Sequence, residues 1–220
     1  MPAGFVGELD PAARAALDLL GRRCRFDAGA TLFLEGDVGA KVVIIHTGHV
    51  KLVATSEDGH TVLLAFRGPG DVVGDFSAID GKPRSATGIA LEPVEAQVLR
   101  ADEFRALLAE TPGAALALLR VVIARLRYSD ERRIEYGARD SLGRLALRLV
   151  ELAETMGEPS ADGEIRVGMS LTQEDLAGWV SASREAVARG LASLRRRNLI
   201  RTGRREIVVV DLEALRAAAR

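Results

Sequence analysis

A chain of 220 residues is long enough for two ordinary domains. It is 48% hydrophobic and 28% charged with a net charge of −1, a globular composition in which no apolar run reaches the roughly 20 residues of a membrane span. The single cysteine, Cys24, excludes an intrachain disulfide and a cysteine-ligated cluster or zinc site, and the opening Met1-Pro2-Ala3-Gly4-Phe5 lacks the basic-then-apolar pattern of a signal peptide, so a cytoplasmic protein is expected.

Asp10-Pro11 opens a predicted amphipathic helix through Leu20, with Asp10 as cap and Pro11 at the first position. From Cys24 to Leu99 the pattern changes to short β runs broken by glycine turns. Val42–Ile45, Val50–Val53 and Val62–Phe66 read as strands, followed by Ala86–Leu91 and Glu95–Leu99. Gly48, Asp58-Gly59 and Gly68-Pro69-Gly70-Asp71 have turn chemistry. Many short strands with glycine corners predict a rolled antiparallel sheet. His46, His49 and His60 are scattered on strands and turns and read as surface residues, and Cys24 as a small core residue.

Within the sheet, Val72-Val73-Gly74-Asp75-Phe76 through Pro83-Arg84-Ser85-Ala86-Thr87 stands out. A short helix starting at Gly74 would present free backbone N–H groups to an anion. Arg84 supplies a planar fork suited to phosphate and Ser85 a hydroxyl donor, while Asp75 can accept from a sugar hydroxyl. A second reading leaves a plain glycine turn with Arg84 and Asp75 pairing on the surface.

Pro112 to Gly137 predicts one long helix with proline in its first turn. Leu116, Leu119, Ile123 and Leu126 follow a 3-4-3 spacing, a narrow seam suited to a second helix. The next seam position is Asp130, beside Ser129, so the seam turns polar partway along.

Asp140-Ser141 reads as hinge and cap before a helix over Leu142–Met156, with Leu145, Leu149 and Leu152 as its stripe. The Gly157–Gly163 stretch is a turn-rich loop and Ile165–Val167 a short strand. A helix from the Thr172 cap to Val180, the connection Ser181-Ala182-Ser183 and a helix over Arg184–Leu194 form a helix-turn-helix. Leu176, Val180, Val187, Leu191 and Leu194 pack the pair. Arg184, Glu185 and Arg189 take the opposite face: arginine reads guanine O6 and N7, and glutamate accepts from cytosine N4. Between Arg184 and Arg205 lie eight arginines and one acid, Glu185, a charge suited to a phosphate backbone and to steep salt dependence. A turn at Gly203 followed by Ile207–Val210 completes a winged helix.

The Gly29, Phe33, Glu35-Gly36-Asp37 run, the Gly68–Asp71 turn and the Gly74-Asp75…Arg84-Ser85 cassette resemble the cyclic-nucleotide-binding domain of the CRP/FNR family of transcription regulators. Ser183-Arg184-Glu185…Arg189 resembles that family's recognition helix. The likeness runs from about Arg25 to Asp211, in the family's order of modules. It implies an α+β protein with an N-terminal β-roll (jelly roll) sensor over 1–111, a dimerisation helix and hinge over 112–139, and a winged helix-turn-helix over 140–220. It further implies a homodimer on a palindromic duplex with TGTGA-type half-sites and RNA polymerase as a partner. The Gly157–Gly163 loop and the Glu57-Asp58-Gly59 turn are positional candidates for the surface that meets polymerase.

By the same likeness, Gly74, Asp75, Phe76, Arg84 and Ser85 hold a cyclic nucleotide, cyclic AMP first and cyclic GMP second, with no tightly held cofactor. Asp75 stands where the family usually has glutamate. Ser129 and Asp130 stand where it has threonine and serine to read the base. Thr172 and Gln173 fall where DNA-backbone contacts are made. Ser181 replaces a common turn glycine, and Gly190 sits mid-helix. A regulator whose pocket answers another signal is the alternative implied by Asp75 and Asp130. Haem is not expected, and an enzyme finds no support, since there is no metal cluster, nucleophile–base pair or phosphate loop.

Overall fold

A computed structural model of the chain describes residues 4–56, 59, 61–160, 162–168, 171–203 and 206–219. Glu57 and Asp58 of the predicted turn, His60, Ala161 of the predicted loop, and Arg204 and Arg205 lie outside the described residues. The chain packs as two compact units, one of residues 2–59 and 64–129, the other of Asp130–Arg220 with residues 60–63.

The N-terminal unit opens with a 3-10 turn and α1 (Pro11–Asp18), where Asp10 caps the helix by accepting from the Ala13 N–H at 2.8 Å. The strands are β1 (Arg22–Phe26), β2 (Thr31–Phe33), β3 (Lys41–Thr47), β4 (Val50–Thr55), β5 (Thr61–Arg67) and β6 (Val72–Val73). After α2 (Asp75–Asp80) come β7 (Thr87–Ala90), β8 (Val94–Arg100), α3 (Ala101–Glu110) and α4 (Pro112–Ala138). They form two four-stranded sheets, β1-β8-β3-β6 and β2-β7-β4-β5.

The period-2 alternation of β3 divides the core. Val43 and Ile45 join Leu32, Phe33, Val50, Val73, Ala90, Val94 and Ala96 in one apolar cluster. Val42 and Ile44 turn the other way, toward Phe5, Leu17, Phe104, Leu107 and the α4 residues Ala114, Ala117, Leu118 and Val121. The α4 residues follow an i, i+3, i+4, i+7 pattern. Leu116, Leu119, Ile123 and Leu126 lie on another face and remain 48%, 55%, 43% and 59% exposed. The long helix thus carries two apolar stripes, one filled by its own unit and one open.

The C-terminal unit contains α5 (Ser141–Met156), β9 (Glu158–Pro159), β10 (Ile165–Val167), α6 (Gln173–Val180), α7 (Arg184–Arg196), β11 (Ile200–Gly203), β12 (Glu206–Val209) and α8 (Leu212–Ala218). Asp140, Thr172 and Ser183 each cap the following helix by accepting from a backbone N–H three residues on. The wing belongs to a four-stranded sheet, β11-β12-β10-β9, in which Ile165 pairs with Val209. Leu145, Leu149 and Leu152 of α5, Leu176 and Val180 of α6, and Val187, Leu191 and Leu194 of α7 are all buried. Ser181 takes the turn in the left-handed region at φ 48°. Gly190 is buried because α5 approaches it closely: a Cβ there would lie 2.7 Å from Leu145 Cδ2.

Several elements were not individually expected, β1 and β2 among them. Part of the predicted Gly157–Gly163 loop forms β9, and α3 and α8 are helices where none was read. The predicted surface histidines are also corrected: His46 and His49 are half-buried, and His49 Nδ1 lies 2.6 Å from Glu92 Oε1. Cys24 is half-buried rather than a core residue.

Candidate ligand cassette and nucleic-acid interface

The cassette is built where β6 runs into α2. Gly74 stands at the joint with φ +79°, and a Cβ there would lie 2.4 Å from Arg84 Nη1. Only glycine accepts both the left-handed backbone and the guanidinium against it. Arg84 donates from Nη1 to Gly74 O at 2.7 Å and from Nη2 to Lys41 O, and its guanidinium stands 4.6 Å from the centre of the Phe33 ring. Its Nε is buried without a partner, a donor short of an acceptor.

Asp75 and Arg84 are each only 4% exposed, and they do not pair with each other. This overturns the reading of a surface pair. Asp75 Oδ2 instead accepts from Arg125 Nη1 of α4 at 2.8 Å, while Arg125 Nη2 donates to Val72 O at 2.7 Å. One guanidinium therefore ties α4 to both β6 and α2.

Arg67, at the end of β5, adds a further cation. Burial, then the neighbouring Arg125, pushes its pKa down to about 10, with Asp71 and Asp75 opposing. Its Nη1 donates to Phe66 O at 2.6 Å and its Nε is buried without a partner. Burial lowers the Arg84 pKa too, against Asp37 and Asp75. Burial raises that of Asp71, which accepts from the Gly68 N–H at 2.9 Å. Three guanidiniums around Asp75 and Asp71, two with an unmatched Nε–H, leave the site short of negative charge and of acceptors. A phosphate with adjacent hydroxyls supplies both kinds of partner: oxygens for the arginines and donors for Asp75.

The structure brings Gly74, Asp75 and Arg84 together. Ser85 is exposed, and Phe76 is 50% exposed on α2. Ser129 and Asp130 are exposed on α4, where Asp130 lies 3.7 Å from Arg133 Nη1. Arg125 and Arg67 were not singled out in the sequence. Arg125 is one turn before Ser129 on the same helix, a readable signal, whereas nothing local marks Arg67.

On the reader, Ser183 starts α7 and presents Arg184, Glu185 and Arg189, all exposed, on the face opposite buried Val187, Gly190, Leu191 and Leu194. Hydrogen bonds from its own backbone N–H and from Ser183, then Arg184 and Arg189, hold the Glu185 pKa down. Glu185 therefore stays a carboxylate acceptor. Thr172 caps α6: its hydroxyl accepts from the Asp175 N–H at 3.0 Å and donates to Asp175 Oδ2 at 2.9 Å. Gln173 is exposed at the first position of α6. Two further arginines are engaged within the unit, Arg201 with Glu164 and Arg195 with Thr202. Among the described residues no cluster of His, Cys, Asp and Glu has a metal-binding arrangement, and no single helix is long and apolar enough to cross a membrane.

A glycine-cornered β-roll with this cassette, a long helix and a winged helix-turn-helix are the modules of a DNA-binding transcription regulator. The sequence matches the family described as Cyclic nucleotide-binding domain over residues 23–111 and the Crp-like helix-turn-helix domain over residues 143–218. It is 35% identical over 218 residues to the CRP-like cAMP-activated global transcriptional regulator of Mycobacterium tuberculosis, covering 99% of this chain and 97% of that one. It is 29% identical to the cyclic AMP receptor protein of Thermus thermophilus, over 86% of this chain and 83% of the other. A transcriptional regulator of the CRP family from Thermus thermophilus has a similar structure, with a TM-score of 0.77 and 27% identity over 89% of this chain and 96% of that one. FixK2 from Bradyrhizobium japonicum shares the fold, at a TM-score of 0.76 and 19% identity over 92% and 98%. The chain belongs to the CRP/FNR family of transcription regulators, which are not enzymes.

Proposed function

We propose that this regulator acts as a homodimer on a palindromic duplex and is controlled by a cyclic nucleotide, cyclic AMP first, held in the Gly74–Ser85 cassette. The observation that carries the reading is the Asp75–Arg125 bridge. It joins Asp75, the acceptor we assign to a ribose hydroxyl, to the helix that bears the open seam of Leu116, Leu119, Ile123 and Leu126. A nucleotide that offers a hydroxyl to Asp75 and a phosphate to Arg84 competes with Arg125 for Asp75. Binding is then coupled to the setting of α4. Such coupling alters DNA affinity only if the nucleotide binds the two settings of α4 unequally.

On the DNA, two recognition helices set roughly 34 Å apart reach successive major grooves. Arg184, Glu185 and Arg189 read a TGTGA-type half-site, and Ser129 and Asp130 bias the choice of base in the ligand. RNA polymerase is the partner that a regulator placed at a promoter meets.

The test is calorimetric titration of cyclic AMP and then cyclic GMP into the protein, alongside sedimentation and binding to a TGTGA palindrome. Micromolar binding of either nucleotide, lost in Arg84→Ala, supports the reading, as does a dimer that dissociates in Leu119→Glu. Absence of binding by both nucleotides together with intact DNA binding refutes nucleotide control and leaves a regulator that answers another signal.

A further inference from the structure

Helix α6 ends at Val180, and Ser181 turns the chain into the recognition helix. The carbonyls of Trp179, Val180 and the C-cap Ser181 lie at the C-terminal end of α6. All three are taken by arginines from elsewhere in the same unit. Arg132, on the last part of α4, donates from Nη2 to Trp179 O at 2.6 Å. Arg144 of α5 donates from Nε to Val180 O at 2.8 Å and from Nη2 to Ser181 O at 3.2 Å. The remaining arm of the same guanidinium, Nη1, donates to Arg139 O at 2.7 Å. Arg144 thus spans the α4–α5 joint and the helix-turn-helix turn with one planar group.

Two further contacts hold the same place. Tyr136 of α4 accepts from Arg132 Nη2 at 2.8 Å, and both guanidiniums lie near its ring, at 5.8 Å for Arg132 and 5.6 Å for Arg144. Arg148, buried on α5, pairs with Glu135 of α4 and with Glu151, and lies 5.7 Å from the Trp179 ring. The compact unit that holds the reader accordingly begins at Asp130, well before α4 ends at Ala138.

We propose that Arg132 and Arg144 are positioning residues for DNA recognition. They lock the turn before α7 to the final turns of α4, so the joint at Arg139–Asp140 is a rigid corner rather than the hinge expected at Asp140-Ser141. A movement of α4 then reaches the recognition helix undiminished, and flexing takes place on the sensor side of Asp130. The fork geometry is essential, because three carbonyls on two segments must be met at once; a lysine ammonium, a point charge, cannot hold that plane. The DNA part of the proposal rests on the regulator reading above, whereas the lock itself does not.

The test uses the full-length protein and its variants Arg132→Ala, Arg144→Ala and Arg144→Lys. Amide hydrogen exchange is followed at residues 133–142 and 179–184, with 206–218 as the internal reference, together with affinity for a TGTGA palindrome. Arg132→Ala should speed exchange in both segments together by about tenfold, as a shared local opening does, leave 206–218 unchanged and weaken DNA binding. Arg144→Lys should behave like Arg144→Ala. If lysine restores wild-type exchange, charge at a helix end is the whole effect and the fork proposal fails. If Arg132→Ala opens one segment without the other, the lock fails. Should Arg144→Ala not fold, Arg132→Ala and Arg144→Lys decide alone. Loss of DNA binding by the unaltered protein would refute the regulator reading, while the exchange pattern still judges the lock.

Discussion

The sensor and the reader both work through arginine, yet they use it in opposite ways. In the sensor, Arg84 is buried with two arms fixed on the carbonyls of Gly74 and Lys41, and Arg125 is fixed on Asp75 and Val72. In the reader, Arg184 and Arg189 stand exposed on α7 beside Glu185. A buried guanidinium is held rigidly by the fold and offers only what remains, here the unpartnered Nε of Arg84. An exposed one keeps its whole fork for a base or phosphate and adds nothing to folding. On the proposed function, small-ligand grip and DNA reading therefore carry different costs when the same residue type is removed.

That contrast is sharpened first by Arg84→Ala. It should weaken cyclic AMP by about 2–5 kcal/mol, and also lower the thermal midpoint, because Gly74 O and Lys41 O lose their donor. Calorimetry and thermal unfolding measure the two; an unchanged midpoint would show that the buried fork contributes nothing to the fold. Arg189→Ala is the counterpart. It should cost about 1–3 kcal/mol of DNA affinity and relax specificity at one base pair, with the midpoint unmoved. A drop in stability there would break the comparison.

A smaller effect is expected from Arg196→Ala, on the exposed end of α7. Affinity should fall evenly across sequences and the salt slope by about 1, measured by binding at several ionic strengths. The smallest is in pH. Burial, with Arg23 and Arg14, holds the His46 pKa below 6.5 against Gln97 and Asp18. The unfolded chain then binds the proton more readily than the folded one, so stability is full above about pH 6.5 and declines as pH falls through and below it. His46→Gln should flatten the fall in thermal midpoint between neutral and mildly acid buffer.

Much of this was legible in the sequence because it is local. Asp10, Asp140, Thr172 and Ser183 announce helix starts at a distance of three residues. The seam of α4 and the packed face of α7 are set by spacing alone. What escaped was either disguised or distant. Helix α3 has Glu103 accepting from the Arg100 N–H at 2.8 Å, half of a capping box, but arginine is not a capping residue and hides the start. Arg125 finds Asp75 fifty residues back along the chain, a partnership that no window of sequence contains. Gly190 looked like a flaw in a helix at about 1 kcal/mol relative to alanine. Packed against Leu145, it is the gap that lets α5 and α7 approach.

The outer face of α7 has a consequence for how such proteins diversify. Arg184, Glu185 and Arg189 carry no packing duty, while Val187, Gly190, Leu191 and Leu194 carry all of it. Substitutions on the exposed face should stay within about ±0.5 kcal/mol of the parent's stability. A duplicated copy can therefore wander through new operator sequences without passing through an unfolded intermediate. If these three side chains read the operator as proposed, regulatory networks can be rewired at three positions while the scaffold stands still.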